Sequence, residues 1–221
     1  YSYMPRDLGA ISGAMRDCAT DDAEYGNTGA AVQYFNNGSW STVNTVDDSW
    51  SLYKGIRAAN SFIAEVADVD LSRYEHDAQY QNWIRKLAYF PYEARVLRAH
   101  YFFELARRYG DIAMPLTVLS ADEANTISKT SFADVVSFIV SECDECAAAL
   151  PESYKNEPGA QTGRVTRGFA MRRVLYTMNL LTRTFGKLPQ MRPLTSSGPE
   201  HIPLTLKDVP TETPLRKWLW W

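Results

Sequence analysis

Between residues 21 and 50, carboxylates and amides alternate with aromatic rings: Asp21, Asp22, Glu24, Asn36 and Asn37 are interleaved with Tyr25, Tyr34, Phe35, Trp40 and Trp50. That mixture suits recognition of a ring that is apolar on its faces and polar around its edge. A sugar is such a ring. Its C–H face packs on an aromatic platform, while its hydroxyls need carboxylate, amide or guanidinium partners at the rim. The candidate binding residues are Asp22, Glu24, Tyr25, Tyr34, Asn36, Asn37, Trp40 and Trp50. The same rings could equally pin a long loop to its neighbours, and the spacing alone leaves both roles open.

Immediately downstream, "WSLYKGIRAAN" carries two stripes at helical spacing. Leu52, Ile56, Ala59, Ile63 and Val66 form an apolar one, as an amphipathic helix requires. The other runs Trp50, Tyr53, Arg57, Asn60 and holds two aromatics, a cation and an amide, which an ordinary solvated face does not need. Arg57 and Asn60 are read as scaffold residues, Arg57 paired with an acidic group of the preceding loop and Asn60 bonded to loop backbone, because neither can be buried unpaired. Arg95 and Arg98 are read in the same way.

Other chemistries find less support. A glycosidase needs two carboxylates across a scissile bond, and Asp22 with Glu24 or Asp47 with Asp48 could be proposed, but neighbouring acids in a turn-rich segment usually serve as caps or solvated groups. No nucleophile elbow, P-loop or His-Glu-x-x-His stands in the chain, so no catalytic residue and no cofactor are expected. Cys143 and Cys146 have no second cysteine pair to complete a zinc site. With Val136, Ile139 and Leu150 they share one helical stripe and are expected to face the core. His76, His100 and His201 are scattered and read as structural. The net charge of -3 conceals an acidic excess of eight in residues 1–170 and a basic excess of five in residues 171–221. The absence of a basic patch with interleaved aromatics in the body argues against nucleic acid.

The elements that must position these residues are helical. The chain is 221 residues long and 45% hydrophobic, enough for a substantial core without staples. Residues 1–16 could form a short amphipathic helix. The polar, aromatic-studded segment that follows reads as a long ordered loop, since a disordered linker would be poor in aromatics. Asp47 or Asp48 can cap a helix over about 49–66. A long helix ends at Gly110, with Pro91 implying a kink or a fresh start within it. "GDIAMP" leads into an extended crossing. Thr130 or Ser131 opens a third helix closing at Pro151, and a fourth begins near Thr166. Ala59, Ala94, Ala99 and Ala147 supply small residues at the crossings. The reading is all-α: stacked tetratricopeptide-like helical hairpins over residues 1–181 with a long N-terminal loop, followed by an irregular, proline-rich tail over 182–221. Six of the eleven prolines fall in that tail, which ends in "WLWW".

Four segments together resemble the SusD/RagB family: "ATDDAEY" with "FNNGSWS", "WSLYKGIRAANSFI", "YEARVLRAHYFFELARRYGDIAMPL", and "CDECAAALP" followed by "GRVTRGFAM". They stand in family order and cover roughly residues 1–180. The third is the most specific, an Arg-x-x-Arg-Ala-x-x-Phe-Phe-x-Leu helix ending in Tyr-Gly-Asp. The resemblance implies a surface lipoprotein of Bacteroidetes that captures a glycan or related nutrient without breaking a bond and passes it to a SusC-like TonB-dependent transporter of the outer membrane. It further implies membrane association through an N-terminal lipid, for which Cys18 lies too far inside the match. An intracellular helical-repeat adaptor is the alternative that hairpins alone would suggest, and the aromatic, Asn- and Gly-rich loop speaks against it. The family pattern fades after "GFAMRRVLYTMNLL", so the last segment, from residue 172 or 182, is expected to be a shifted frame, a truncation or a divergent ending. A chain with only the first part of the pattern is expected to bind weakly and to self-associate through the edge where the next hairpin would stack.

Overall fold

The structure is a computed structural model and describes residues 10–11, 14–46, 49–155 and 163–185. Two short strands, β1 (Ala10–Ile11) and β2 (Ala14–Met15), pair antiparallel and lead into a 3-10 turn over Arg16–Ala19. The amphipathic helix expected over residues 1–16 is therefore replaced by strand pairing from residue 10, and its earlier part lies outside the described residues. Gly9 and Gly13 in the sequence explain the difference, each disfavouring helix by about 1 kcal/mol relative to Ala.

The long loop is ordered around a small core of its own, in which Ala14, Cys18 and Val32 are buried and Tyr25, Phe35 and Val46 pack against them. It contains a single helical turn, α1 (Gln33–Asn36). The body then follows as α2 (Leu52–Val66), a 3-10 turn at Ser72–Tyr74, α3 (Tyr80–Tyr109), β3 (Ile112–Ala113), α4 (Ala121–Thr126), β4 (Lys129–Thr130), α5 (Phe132–Ala149) and α6 (Arg167–Phe185). The capping expected of Asp47 or Asp48 lies outside the described residues, as do His201 and the tail beyond residue 185.

The apolar stripe of α2 goes inside: Leu52, Ile56, Ala59 and Val66 are buried and Ile63 is half-buried. α3 packs against both α2 and α5, and α5 packs against α6, which is the stacked-hairpin arrangement. Thirty residues make α3 about 45 Å long. It continues through Pro91 without a fresh start. Proline's missing N–H and ring clash cost about 3 kcal/mol in a helix interior, and the buried C-terminal half of the helix, where Ala94, Leu97, Tyr101, Phe102 and Leu105 enter the core, offsets that cost. Gly110 ends the helix at φ 71°, a backbone region that favours glycine.

α5 opens at Ser131, whose hydroxyl accepts from the Asp134 N–H. Its inward stripe carries both cysteines, and burial pushes each thiol up to about 12, which leaves them as unreactive packing groups. The crossing after α3 is more structured than its sequence suggested. β3 and β4 pair antiparallel, joining Ile112 to Thr130 and Ala113 to Lys129, and α4 sits between them. Ser120 and Glu123 form a reciprocal capping box at the start of α4, the S-x-x-E signature that marks such a helix in sequence.

Candidate functional site

One face of α2 looks into a cleft of about 940 Å³. Its near wall is the second stripe, Trp50, Tyr53, Arg57 and Asn60; its far wall is made by Tyr109, β3, the 114–120 segment, α4 and β4. The helical period of 3.6 brings Tyr53, Arg57 and Asn60 into one line, and Trp50 joins them from the turn that leads into α2. Trp50 lies almost parallel to Tyr109, with ring centroids 4.1 Å apart at 13°, and to Tyr53, at 6.3 Å and 10°. Trp50 nonetheless stays 54% exposed. The result is an indole stacked with two phenol rings and still open to solvent.

The polar members of the stripe hold the far wall in place. Tyr53 Oη donates to the Ala113 carbonyl at 2.9 Å, and Arg57 Nη1 donates to the Leu119 carbonyl at 2.8 Å. Asn60 Nδ2 donates to the carbonyls of Pro115 and Thr117 at 3.0 and 2.9 Å. Burial raises the Tyr53 phenol above its ordinary value, against the opposing effect of the Ala113 bond, so the group remains protonated and able to donate. Arg57 thus meets a backbone carbonyl and not the loop acid expected for it. A guanidinium needs acceptors rather than a particular residue type, and the 114–120 segment supplies them. Asn60 bonds loop backbone as its type requires, but in this downstream loop.

Behind Asn60 lies a buried ionic network. Arg98 Nη1 donates to Asn60 Oδ1 at 2.9 Å and to the Leu116 carbonyl at 3.2 Å, and Arg98 Nη2 pairs with Glu142. Arg95 reaches the other Glu142 oxygen at 2.8 Å and also the exposed Glu145. Burial would raise the Glu142 carboxyl, yet the hydrogen bonds and charges of Arg95 and Arg98 prevail and hold it below its ordinary value. The scaffold role read for Arg95 and Arg98 is what the geometry shows. Three helices are joined to the cleft wall through Asn60. Replacing Asn60 by Ala should leave two loop carbonyls and one Arg98 donor without their partner, costing about 1–2 kcal/mol. Hydrogen exchange is expected to accelerate over residues 114–120 while the α5 amides stay protected.

Of the residues selected from sequence, Trp50 lines the cleft, whereas Asp22, Glu24, Tyr25, Tyr34, Asn36, Asn37 and Trp40 belong to the N-terminal loop and are not part of its lining. Within the loop, Asn36 Nδ2 donates to the Cys18 carbonyl and Asn37 Oδ1 accepts from the Ser39 N–H. The Tyr25 carbonyl accepts from Gln33, while the Tyr34 carbonyl accepts from the Trp40 N–H. Asp22 and Glu24 are exposed. Trp40 is 56% exposed and leans on Phe35, at 5.4 Å between centroids. The sequence reading missed Tyr109, the carbonyls of 113–119 and Lys129. Of these, Tyr109 carried a signal, as an aromatic placed directly before the helix-ending Gly110.

No family model and no curated protein matches the chain. Among solved structures, a SusD-like carbohydrate-binding protein from Bacteroides fragilis matches at 28% identity and a TM-score of 0.50, over 60% of this chain and 23% of that one. A laminarin-binding SusD-like protein matches at 23% identity and a TM-score of 0.51, over 75% of this chain and 36% of the other. The fold is SusD-like. A surface glycan-binding protein A from Bacteroides uniformis shares it at 20% identity and a TM-score of 0.52, over 70% of this chain and 31% of its own. The chain thus spans between about a quarter and a little over a third of these SusD-like structures.

Proposed function

We propose that this SusD-like chain captures a glycan or related nutrient at the surface of a bacterial outer membrane, breaks no bond in it, and passes it to a SusC-like TonB-dependent transporter. The observation that carries the reading is the half-exposed Trp50 platform, stacked on Tyr109 and set in a cleft edged by Arg57, Asn60 and Lys129. A pyranose ring laid on the indole would bury its C–H face and find hydrogen-bond donors at the rim. The likeness to SusD-like carbohydrate-binding structures supports it. Trp40, which shares the N-terminal loop with Asp22, Glu24, Tyr25, Tyr34, Asn36 and Asn37, supplies a second platform for a longer chain of sugars. Membrane attachment through an N-terminal lipid and the surface location belong to the same reading.

Capture without catalysis is favoured because Asp22 and Glu24 are both exposed, outside the sort of apolar pocket that general-acid chemistry requires. Affinity electrophoresis through gels containing a panel of polysaccharides should show retardation by at least one of them. The same incubations assayed for reducing ends should show no increase over buffer. New reducing ends would overturn the binding-only reading, and unretarded migration through every gel would overturn capture itself.

A further inference from the structure

The hydrogen-bonding character of the cleft is lopsided. Four backbone carbonyls of its wall are already engaged by its own side chains: Ala113 by Tyr53, Pro115 and Thr117 by Asn60, Leu119 by Arg57. It has one side-chain carboxylate, Asp111, whose Oδ1 accepts from the Phe132 N–H at the start of α5 at 2.8 Å, leaving Oδ2 as an acceptor. Ser120 is tied to Glu123 within the α4 capping box.

What remains to meet a ligand is weighted towards cationic donors. Arg57 is exposed and uses Nη1 on the Leu119 carbonyl, which leaves Nε and Nη2 of its five-donor fork. Lys129 is exposed on β4, with its backbone in the ladder to Ala113. Among the described residues neither cation forms an ion pair, although Arg95, Arg98, Arg107, Arg164, Arg167 and Arg173 all do. The lining therefore carries two cations against one carboxylate, in a body where residues 1–170 are acidic overall.

A neutral sugar presents hydroxyls that both donate and accept, and its sites accordingly need acceptors as well as donors. A cleft with two cations against one carboxylate beside an indole instead matches a ring that brings its own strong acceptor. We propose that the cleft takes a uronic acid residue of an acidic glycan, its ring laid on Trp50 and its carboxylate met by Arg57 and Lys129. This deepens the glycan-capture reading and rests on it. Carboxylate is the group for which a guanidinium fork is best shaped, and charge-assisted bonds of this kind are roughly twice as strong as neutral ones.

The test uses the 221-residue chain in affinity electrophoresis. The acidic probes are polygalacturonate, alginate and hyaluronan, and each is compared with its carboxyl-reduced counterpart, which keeps the backbone and linkage but is neutral at that position. At least one acidic glycan should be retained about tenfold more tightly than its reduced form, the equivalent of one charge-assisted contact. That ratio should collapse in Lys129→Gln, a side chain that anchors nothing in the wall, and should shrink as salt is raised. Arg57→Lys, which keeps the charge and loses the fork, should reduce it partially. Equal retention of acidic and reduced forms, both lost in Trp50→Ala, would overturn the acidic preference and leave glycan capture standing. An acidic preference unchanged in Lys129→Gln and Arg57→Lys would overturn the assignment of the cations. Retention of none of the acidic probes, with a neutral glycan bound, would also overturn the preference; retention of no glycan at all would overturn both readings.

Discussion

Replacing Glu142 by Gln is expected to lower the stability of the chain by about 3–5 kcal/mol, the usual cost of removing one partner from a buried ion pair. Gln fills nearly the same volume, so the effect is electrostatic rather than a cavity. Both Glu142 oxygens are engaged, one by Arg98 and the other by Arg95, and its side chain and that of Arg98 are nearly inaccessible at 8% and 9%. Neutralising it leaves two guanidiniums facing each other, with only the exposed Glu145 among the described residues paired to either of them. Glu145→Gln is the control. That carboxylate is 64% accessible, and an exposed pair is worth only about 0–1 kcal/mol. Urea unfolding of the two variants should separate them clearly, and equal midpoints would show that the network is not the brace described above.

The same network sets the direction of the acid response. The Glu142 carboxyl is held below its ordinary value in the folded chain, so its contribution is complete above the ordinary carboxylate range and is lost as pH falls through the lower, folded value. His100 adds to the trend from a higher pH. Burial, reinforced by the charges of Arg173 and Arg107, pushes its imidazole down to about 3. The unfolded chain therefore takes up a proton near 6.5 that the folded chain refuses, and stability falls between that pH and about 3. Unfolding midpoints measured from pH 7 downward should decline in the His100 window first and more steeply once Glu142 titrates. In Glu142→Gln the added steepness should be missing while the His100 decline remains.

How far the sequence disclosed this arrangement follows from where the information lies along the chain. The inward stripe of α2, the cysteine stripe of α5 and the Gly110 stop depend on neighbours within a turn or two, and each is legible from spacing. The outward stripe was legible as an oddity, since nothing in a solvated helix calls for Trp50, Tyr53, Arg57 and Asn60 on one line. Its partners were not legible. Tyr53 and Arg57 bond carbonyls 60 and 62 positions away, and a backbone carbonyl leaves no trace in residue identity. Hence Arg57 was matched to a nearby acid that it does not touch. From residue 10 the expected amphipathic helix yielded to strand pairing for a local reason, because Gly9 and Gly13 disfavour helix more than the weak apolar pattern favours it. α4 is the one missed element that its sequence did announce, through Ser120 and Glu123.

Trp50→Ala should weaken glycan retention at least about thirtyfold, the loss of roughly 2 kcal/mol typical of a central aromatic contact. The fold should survive. Trp50 is more than half exposed, and its contact with Tyr109 belongs to a class of ring pairs worth about 0.5–1.5 kcal/mol beyond area burial. A large affinity loss beside a small shift in unfolding midpoint would therefore identify a ligand contact, whereas a large shift in both would make Trp50 a packing residue that happens to show one face. Trp40→Ala supplies the comparison. Trp40 is equally exposed, but it leans on Phe35 within the N-terminal loop and lies outside the cleft lining. If one ligand spans both platforms, each variant should lose affinity for a long glycan, and only Trp50→Ala should lose it for a disaccharide. A disaccharide that is sensitive to Trp40 and indifferent to Trp50 would move the primary platform to the loop. The braced cleft wall would then serve to hold the helices rather than to meet a sugar.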